Sequence, residues 1–234
     1  MKSKNPISQF LLTFFHLLYH QFAWCYDWVA WIVSAGRWKS WVQSVEKHLS
    51  GPNILEIGHG PGHLQTHLKN IYPLLVGLDE SRQMGKLARK NIQKAYPGMQ
   101  KNLIRAAAQF IPVKSEMFNT VIATFPAQFI FEESSLMEIY RVLKPDGMLV
   151  ILLAVQFTGV NLISQALKIL YTLTGETTSP KQLEYLERAV AQQGFLLQVE
   201  QEQHRNEKLL LVKARKIRIP PINKIEPSRF PNLY

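Results

Sequence analysis

A doubly wound α/β sheet is the fold class this sequence predicts, and two observations predict it. From residue 52 onward, short apolar runs alternate with longer stretches of helical periodicity, the pattern of a parallel sheet covered on both faces. The first apolar run, "NILEI" (Asn53–Ile57), is followed by a turn carrying Gly58, Gly60 and Gly62. A turn at the carboxyl edge of such a sheet is where ligands bind.

Each element follows from its own signal. After "NILEI" and the glycine turn, a helix runs to about Ile71. "LLVGLD" is a second strand. Ser81 to Tyr96 is a basic amphipathic helix, stopped by Pro97-Gly98. "KNLIRA" is a third strand and "FNTVIATF" a fourth. Glu132 to Leu143 is a helix closed by the turn Lys144-Pro145-Asp146-Gly147. "MLVILLAV" is a fifth strand, apolar throughout as at the covered centre of a parallel sheet. Ser179-Pro180 reads as a helix start, with a capping hydroxyl and a proline in the first turn. Gly194 suits the residue just past that helix. "FLLQVEQ" and "EKLLLVKAR" read as a closing antiparallel pair.

Three units are expected: an amphipathic helical extension or lid over 1–45, a domain over 46–216 with a helical insertion at 156–178, and a basic, proline-containing tail over 217–234. Hydrophobic residues make up 47% of the chain and charged residues 19%, so a sizeable core can be buried, which argues against wholesale disorder. The lone Cys25 excludes an internal disulfide and fits a reducing compartment. Its plain reading is a small buried hydrophobe. The net charge is +10, and eight basic against two acidic residues lie between Arg205 and Tyr234. Such a tail can meet nucleic acid, an anionic membrane, or solvent alone.

"LEIGHGPGHL" (Leu55–Leu64) carries the most chemistry. Glycine lets the backbone turn sharply and a ligand approach with no Cβ in the way. The spacing is G-x-G-x-G, and the third glycine of a dinucleotide fingerprint is replaced by His63. A nicotinamide oxidoreductase is therefore disfavoured. Asp79 ends the second strand, where an acid can take both hydroxyls of a ribose.

Four further stretches fall at matching intervals: Asp79 itself, "LDESRQMGKLARKN" with its D-x-S-x-x-M-x-x-x-A pattern, "QFIPV", and "IYRVLKPDGMLVI". With the glycine turn they resemble the class I S-adenosylmethionine-dependent methyltransferases, in particular the small-molecule branch that includes the quinone-ring enzymes. The resemblance covers roughly residues 50–155. It implies a Rossmann-like seven-stranded sheet with the last strand antiparallel, and S-adenosylmethionine as cofactor. It implies that Glu56, Gly58, Gly60 and Gly62 border the methionine and ribose. Asp79 would bind the ribose hydroxyls, and Met84 would lie near the adenine.

The chain departs from that family twice. The third strand usually ends in an acid that bonds the adenine amino group, and here the position is Ala107. The residue after the ribose acid is usually apolar and packs on the adenine; here it is Glu80. Adenine recognition is then expected from the backbone near Ala108 or the Gln109 amide.

Methyl transfer from a sulfonium asks the protein for alignment and exclusion of water. A general base is needed only if the acceptor loses a proton, so the lack of a catalytic triad excludes nothing. His59 could approach the acceptor, although a loop histidine exposed to water is the plainer reading. Tyr26-Asp27 matches a pair that quinone methyltransferases carry near the cofactor, so Tyr26 is a second candidate beside the methionine end. No metal is expected. "TFPA" (Thr124–Ala127) lacks the amide or acid that accepts an adenine amino group, and nucleic acid is not an expected partner.

All five tryptophans lie between residues 24 and 41, spaced 4, 3, 7 and 3 apart. That is helical spacing. Residues 7–26 have the length of a membrane span but include Gln9, Thr13, His16, His20 and Gln21. The reading is two amphipathic helices with wide apolar faces, which either pack on the sheet domain and on residues 157–173 or, as favoured, form an acceptor pocket that touches the bilayer surface. The expected activity is methyl transfer to a small lipophilic acceptor, with an anionic membrane surface as a second partner. The expected location is cytoplasmic, peripheral at the membrane. The alternative is a non-catalytic module of the same fold, bound to a membrane or partner protein.

Overall fold

The computed structural model describes residues 36–98, 102–157, 187–205 and 207–217. The sequence-predicted helices over residues 7–35, the insertion, the helix start at Ser179-Pro180 and the tail beyond residue 217 lie outside the described residues, as do Tyr26 and Cys25. The elements are α1 (Trp38–Gln43), a 3-10 turn (Ser44–His48), β1 (Asn53–Ile57), α2 (His63–Leu68), β2 (Leu74–Leu78), α3 (Arg82–Ala95) and β3 (Leu103–Ile104). Then come β4 (Phe118–Thr124), a 3-10 turn (Gln128–Phe131), α4 (Glu133–Val142), β5 (Leu143–Phe157), β6 (Phe195–His204) and β7 (Glu207–Lys216).

The sheet has seven strands in the order β3-β2-β1-β4-β5-β7-β6. Strands β1 to β5 pair in parallel. The last strand, β7, runs antiparallel to both β5 and β6. This is the Rossmann-like doubly wound sheet with its last strand antiparallel. The chain winds outward from β1 to β3 and returns at β4 beside β1. The order reverses between β1 and β4, and that reversal opens a crevice at the carboxyl ends of the strands.

Alternation along the strands explains why both faces are covered. Leu149 and Ile151 of β5 enter one apolar cluster with Leu136, Ile139 and Val142 of α4. Val150 and Leu152 enter the other with Leu64 and Leu68 of α2 and Trp41, Val42 and Val45. Trp41 has no exposed surface, so the helix at the end of the tryptophan-rich stretch is part of the sheet's cover. Ser81 caps α3, its hydroxyl accepting from the Met84 N–H at 3.3 Å. Such a cap is worth about 1 kcal/mol. Gly194 takes the left-handed conformation, φ 83°.

Three elements differ from expectation. The first helix ends at Leu68, three residues early, where the Ile71 N–H bonds back to the Leu68 carbonyl. The third strand is reduced to Leu103–Ile104 at the sheet edge, where only Gly77–Leu103 and Leu78–Ile104 pair with β2. The turn before the fifth strand is a bulge within it. Pairing with β4 jumps from Phe118–Leu143 to Thr120–Met148, and Asp146, at φ 61°, carries the chain around the bend.

Candidate active site

Pairing and burial build the site at the carboxyl edge of β1, β2 and β4. The Gly58 N–H donates to the Leu78 carbonyl at 2.7 Å, extending β1 toward β2 by one residue. The loop then turns over Asp79. The Gly60 N–H donates to one Asp79 carboxylate oxygen at 2.8 Å, and the Ser81 N–H donates to the other at 2.8 Å. One carboxylate thus ties the glycine loop to the start of α3. An ionised carboxylate has about four lone-pair directions, and two remain for a diol.

The three glycines do different work. A Cβ on Gly60 would meet nothing within 4 Å, and one on Gly58 only Phe129 Cζ, at 3.9 Å. These two positions border open space. A Cβ on Gly62 would lie 2.9 Å from Ala88 Cβ. Gly62 is therefore where α2 and α3 pack together. Asn91 adds a bond to the Pro61 carbonyl at 2.9 Å from the same helix.

Glu56 is buried beneath the loop, and the Gln65 amide donates to it at 2.8 Å. Burial is the main cause that pushes its carboxyl up to about 8, with the Asp79 charge adding to the rise. Glu56 therefore keeps its proton well above the ordinary carboxylate range. The folded chain keeps a proton there that the unfolded chain loses above its ordinary value of 4.5. Stability consequently falls as pH rises through that window. His59 acts in the opposite sense, but only below its ordinary value of 6.5. Between pH 6.5 and 8 the Glu56 contribution is separable. Glu56→Gln should remove a decline of up to about 2 kcal/mol there, read from chemical denaturation of both proteins at the two ends of the window.

The structure corrects the reading of His59. It is 4% exposed, with its ring folded under the loop. Nδ1 lies 2.7 Å from the Gly60 carbonyl, and since a carbonyl only accepts, Nδ1 carries the proton. Burial holds the imidazole below its usual range, and the Asp79 charge partly opposes this. The ring supports the loop from below and is not a water-exposed loop histidine.

Met84 has no exposed surface and belongs to the buried face of α3. At the end of β3, Ala108 is 3% exposed. The Gln109 amide donates to a Glu132 carboxylate oxygen at 2.7 Å, so its NH₂ group is engaged on the protein and its carbonyl oxygen remains. Sequence reasoning missed the aromatic wall. Phe129 stands over Gly58, and Phe125, directly after β4, lies 4.5 Å from Trp38 between ring centroids. The only signal for it was the aromatic content of residues 125–131, which periodicity does not place.

The methionine–ribose part of S-adenosylmethionine fits what is present. An open cradle lies at Gly58 and Gly60, and Asp79 has acceptor capacity to spare. The adenine end has no carboxylate on residues 106–112.

Comparison with known proteins leads to methyltransferases. A family model described as "Methyltransferase domain" matches residues 55–151. The "Ubiquinone/menaquinone biosynthesis C-methyltransferase UbiE" of Blochmanniella floridana is 31% identical over 145 residues, covering 58% of this chain and 56% of that protein. The chain therefore spans little more than half the length of that curated relative. Among solved structures, the phosphoethanolamine N-methyltransferase 2 of Haemonchus contortus superposes with a TM-score of 0.53 at 16% identity, covering 78% of this chain and 54% of that one. The [4+2]-cyclase SpnF superposes with a TM-score of 0.54 at 15% identity, covering 77% of this chain and 80% of that one. At such identities the superpositions establish the fold alone, and the cyclase shows that this fold hosts more than one chemistry.

Proposed function

We propose, from the premise that the chain belongs to the class I S-adenosylmethionine-dependent methyltransferases, that it transfers the cofactor's methyl group to a small lipophilic acceptor. The observation that carries the reading is the junction at Asp79. One buried carboxylate holds the glycine loop, leaves room for a ribose diol, and sits beside glycines whose missing Cβ atoms face open space. The likeness to a quinone C-methyltransferase supports a lipophilic acceptor.

The bound cofactor supplies a methyl group already activated on a sulfonium. The chain's own residues then bind and orient. Gly58 and Gly60 admit the methionine end without steric conflict, and Asp79 fixes the ribose. Phe129 and Phe125 offer apolar surface at the β1–β4 crevice, where water must be kept from the transfer. No general base is assigned, since His59 is turned under the loop. Ala108 and Gln109 complete the adenine end, the first through its backbone and the second through its free carbonyl oxygen.

Calorimetric titration with S-adenosylmethionine, S-adenosylhomocysteine and NAD tests the reading. Binding of the first two and not the third is expected, and binding of none would leave a non-catalytic module. The missing acid gives a second measurement. Ala107→Asp should tighten S-adenosylmethionine binding by about 1 kcal/mol, or roughly fivefold, by giving the adenine amino group an acceptor. An unchanged affinity would mean that another group already fills that role.

Residues 1–35 are proposed as the lid that walls the acceptor side. A chain shortened to begin at Gly36 retains Trp41 and the whole cofactor cradle. It should bind S-adenosylmethionine somewhat more weakly and lose acceptor turnover. Full turnover by the shortened chain would reject the lid.

A further inference from the structure

We propose that the exposed face of α3, with the rim of the groove between α3 and β3, is the surface by which this protein binds an anionic lipid bilayer. The helix carries Arg82, Lys86, Arg89, Lys90 and Lys94 and no acidic residue. All five cations are exposed, while Met84, Ala88 and Ile92 fill the opposite, buried side. Among the described residues none of the five forms an ion pair. Several cations elsewhere do: Lys213 with Glu200, Lys47 with Glu202, Arg37 with Glu207, and Arg141 with Glu138.

The topology sorts these charges. Strand β3 is one edge of the sheet, and α3 flanks it; β6 is the other edge and carries Glu200 and Glu202. The α3 flank presents cations with no acid on the helix, whereas the β6 edge mixes Glu200 and Glu202 with the cations of β7. An unpaired cationic flank is costly self-repulsion unless an anionic partner neutralises it.

The groove indicates which anion. It holds about 240 Å³ between α3 and β3. Its floor is Leu103 and Ile104, and its exposed rim is Lys86, Arg89 and Arg105. Its inner end is closed by His59 and by Asp79, the carboxylate proposed above for the ribose. The other acid adjoining the rim is the exposed Glu80, whose carbonyl accepts from Arg105 at 3.0 Å. An apolar floor below a cationic rim suits a phospholipid, with the phosphate on the rim and the glycerol ester against the floor. Nucleic acid would meet cations but would leave the floor without a stacking partner, since the groove lining includes no aromatic ring other than His59. The inference extends the proposed function, because a lipophilic acceptor is held in a bilayer. Arg82 stands beside Asp79 at the carboxyl edge, so this flank brings the cofactor crevice next to the lipid.

The test uses the full chain and vesicles of phosphatidylcholine with or without phosphatidylserine, by co-sedimentation at low and high salt. Binding is expected to the anionic vesicles only, and to weaken with salt. A cation near an anionic surface contributes about fivefold in affinity. The triple variant Arg82→Gln/Lys86→Gln/Arg89→Gln should therefore bind about a hundredfold more weakly. A matched control, Lys39→Gln/Lys208→Gln/Arg215→Gln, removes exposed cations toward the other edge and should lose less than tenfold. Equal losses in both triples, no loss in the first, or no vesicle binding by the parent would each overturn the proposal. Tighter binding to a duplex oligonucleotide than to vesicles, lost in the first triple, would overturn it in favour of nucleic acid. S-adenosylmethionine titration of the first triple keeps the two readings apart: retained cofactor binding with lost vesicle binding supports the surface without touching the proposed reaction.

Discussion

Gly60→Val is expected to abolish cofactor binding and leave the fold standing. No atom of the protein lies within 4 Å of the position a Cβ would take there, so the valine displaces ligand and not neighbours. The cost to the fold comes from the backbone. Gly60 sits at φ 50°, and an L-residue in that left-handed region costs about 1–2 kcal/mol, more for a branched one. Affinity for S-adenosylmethionine should fall by at least about a hundredfold, since the bulk occupies the approach path itself. Calorimetry on protein shown to be folded by circular dichroism measures this. Gly62→Ala provides the contrast. Its Cβ would press on Ala88 at 2.9 Å, and the residue sits at φ 80°. It should lose about 2–4 kcal/mol of stability while its folded fraction still binds cofactor. Undiminished affinity in Gly60→Val would place the site elsewhere.

Removal of the Asp79 carboxylate is expected to damage both affinity and fold. Asp79→Ala leaves the Gly60 and Ser81 N–H groups without their acceptor in a site that is 6% exposed. Each buried donor left unpaired costs about 1–3 kcal/mol, so the two together should lower stability by about 2–6 kcal/mol. The ribose loses a charged acceptor for two hydroxyls, worth about 1.5–3 kcal/mol each, which predicts at least a hundredfold weaker binding. Asp79→Asn separates the two effects. Its single carbonyl oxygen can serve one of the two N–H groups, so it should recover part of the stability and little of the affinity. Denaturant titration and calorimetry on the same preparations give both numbers. A full recovery of cofactor affinity in the asparagine variant would mean that the charge is not what holds the ribose.

The parts of this site that could be read before folding are local in the chain. The glycine loop announces itself by spacing, Ser81 by its place before a helical run, and Asp79 by ending an apolar strand. What could not be read depends on segments distant in sequence. His59 looked like a solvent-facing loop residue because nothing adjacent to it is apolar. It is buried because β2 brings Asp79 beneath the loop and the Gly60 carbonyl turns back onto its ring. The three glycines looked equivalent, and only the docking of α3 assigns Gly62 to helix packing. Phe129 and Phe125 come to the crevice because the chain recrosses the sheet at β4, a topological fact with no local signature. The bulge in β5 looked like a plain turn, since lysine, proline, aspartate and glycine favour both.

Phe125 also holds α1 to the sheet. It holds φ 49° at the end of β4, a conformation that a non-glycine residue rarely adopts, with Trp38 and Trp41 against its ring. One residue earlier, Arg37 is paired with Glu207 at the carboxyl end of the β5–β7 ladder. Both anchors lie at the carboxyl ends of central strands, β4 and β5, so α1 is clamped at two points and cannot lift from the sheet without breaking an aromatic stack and an ion pair together.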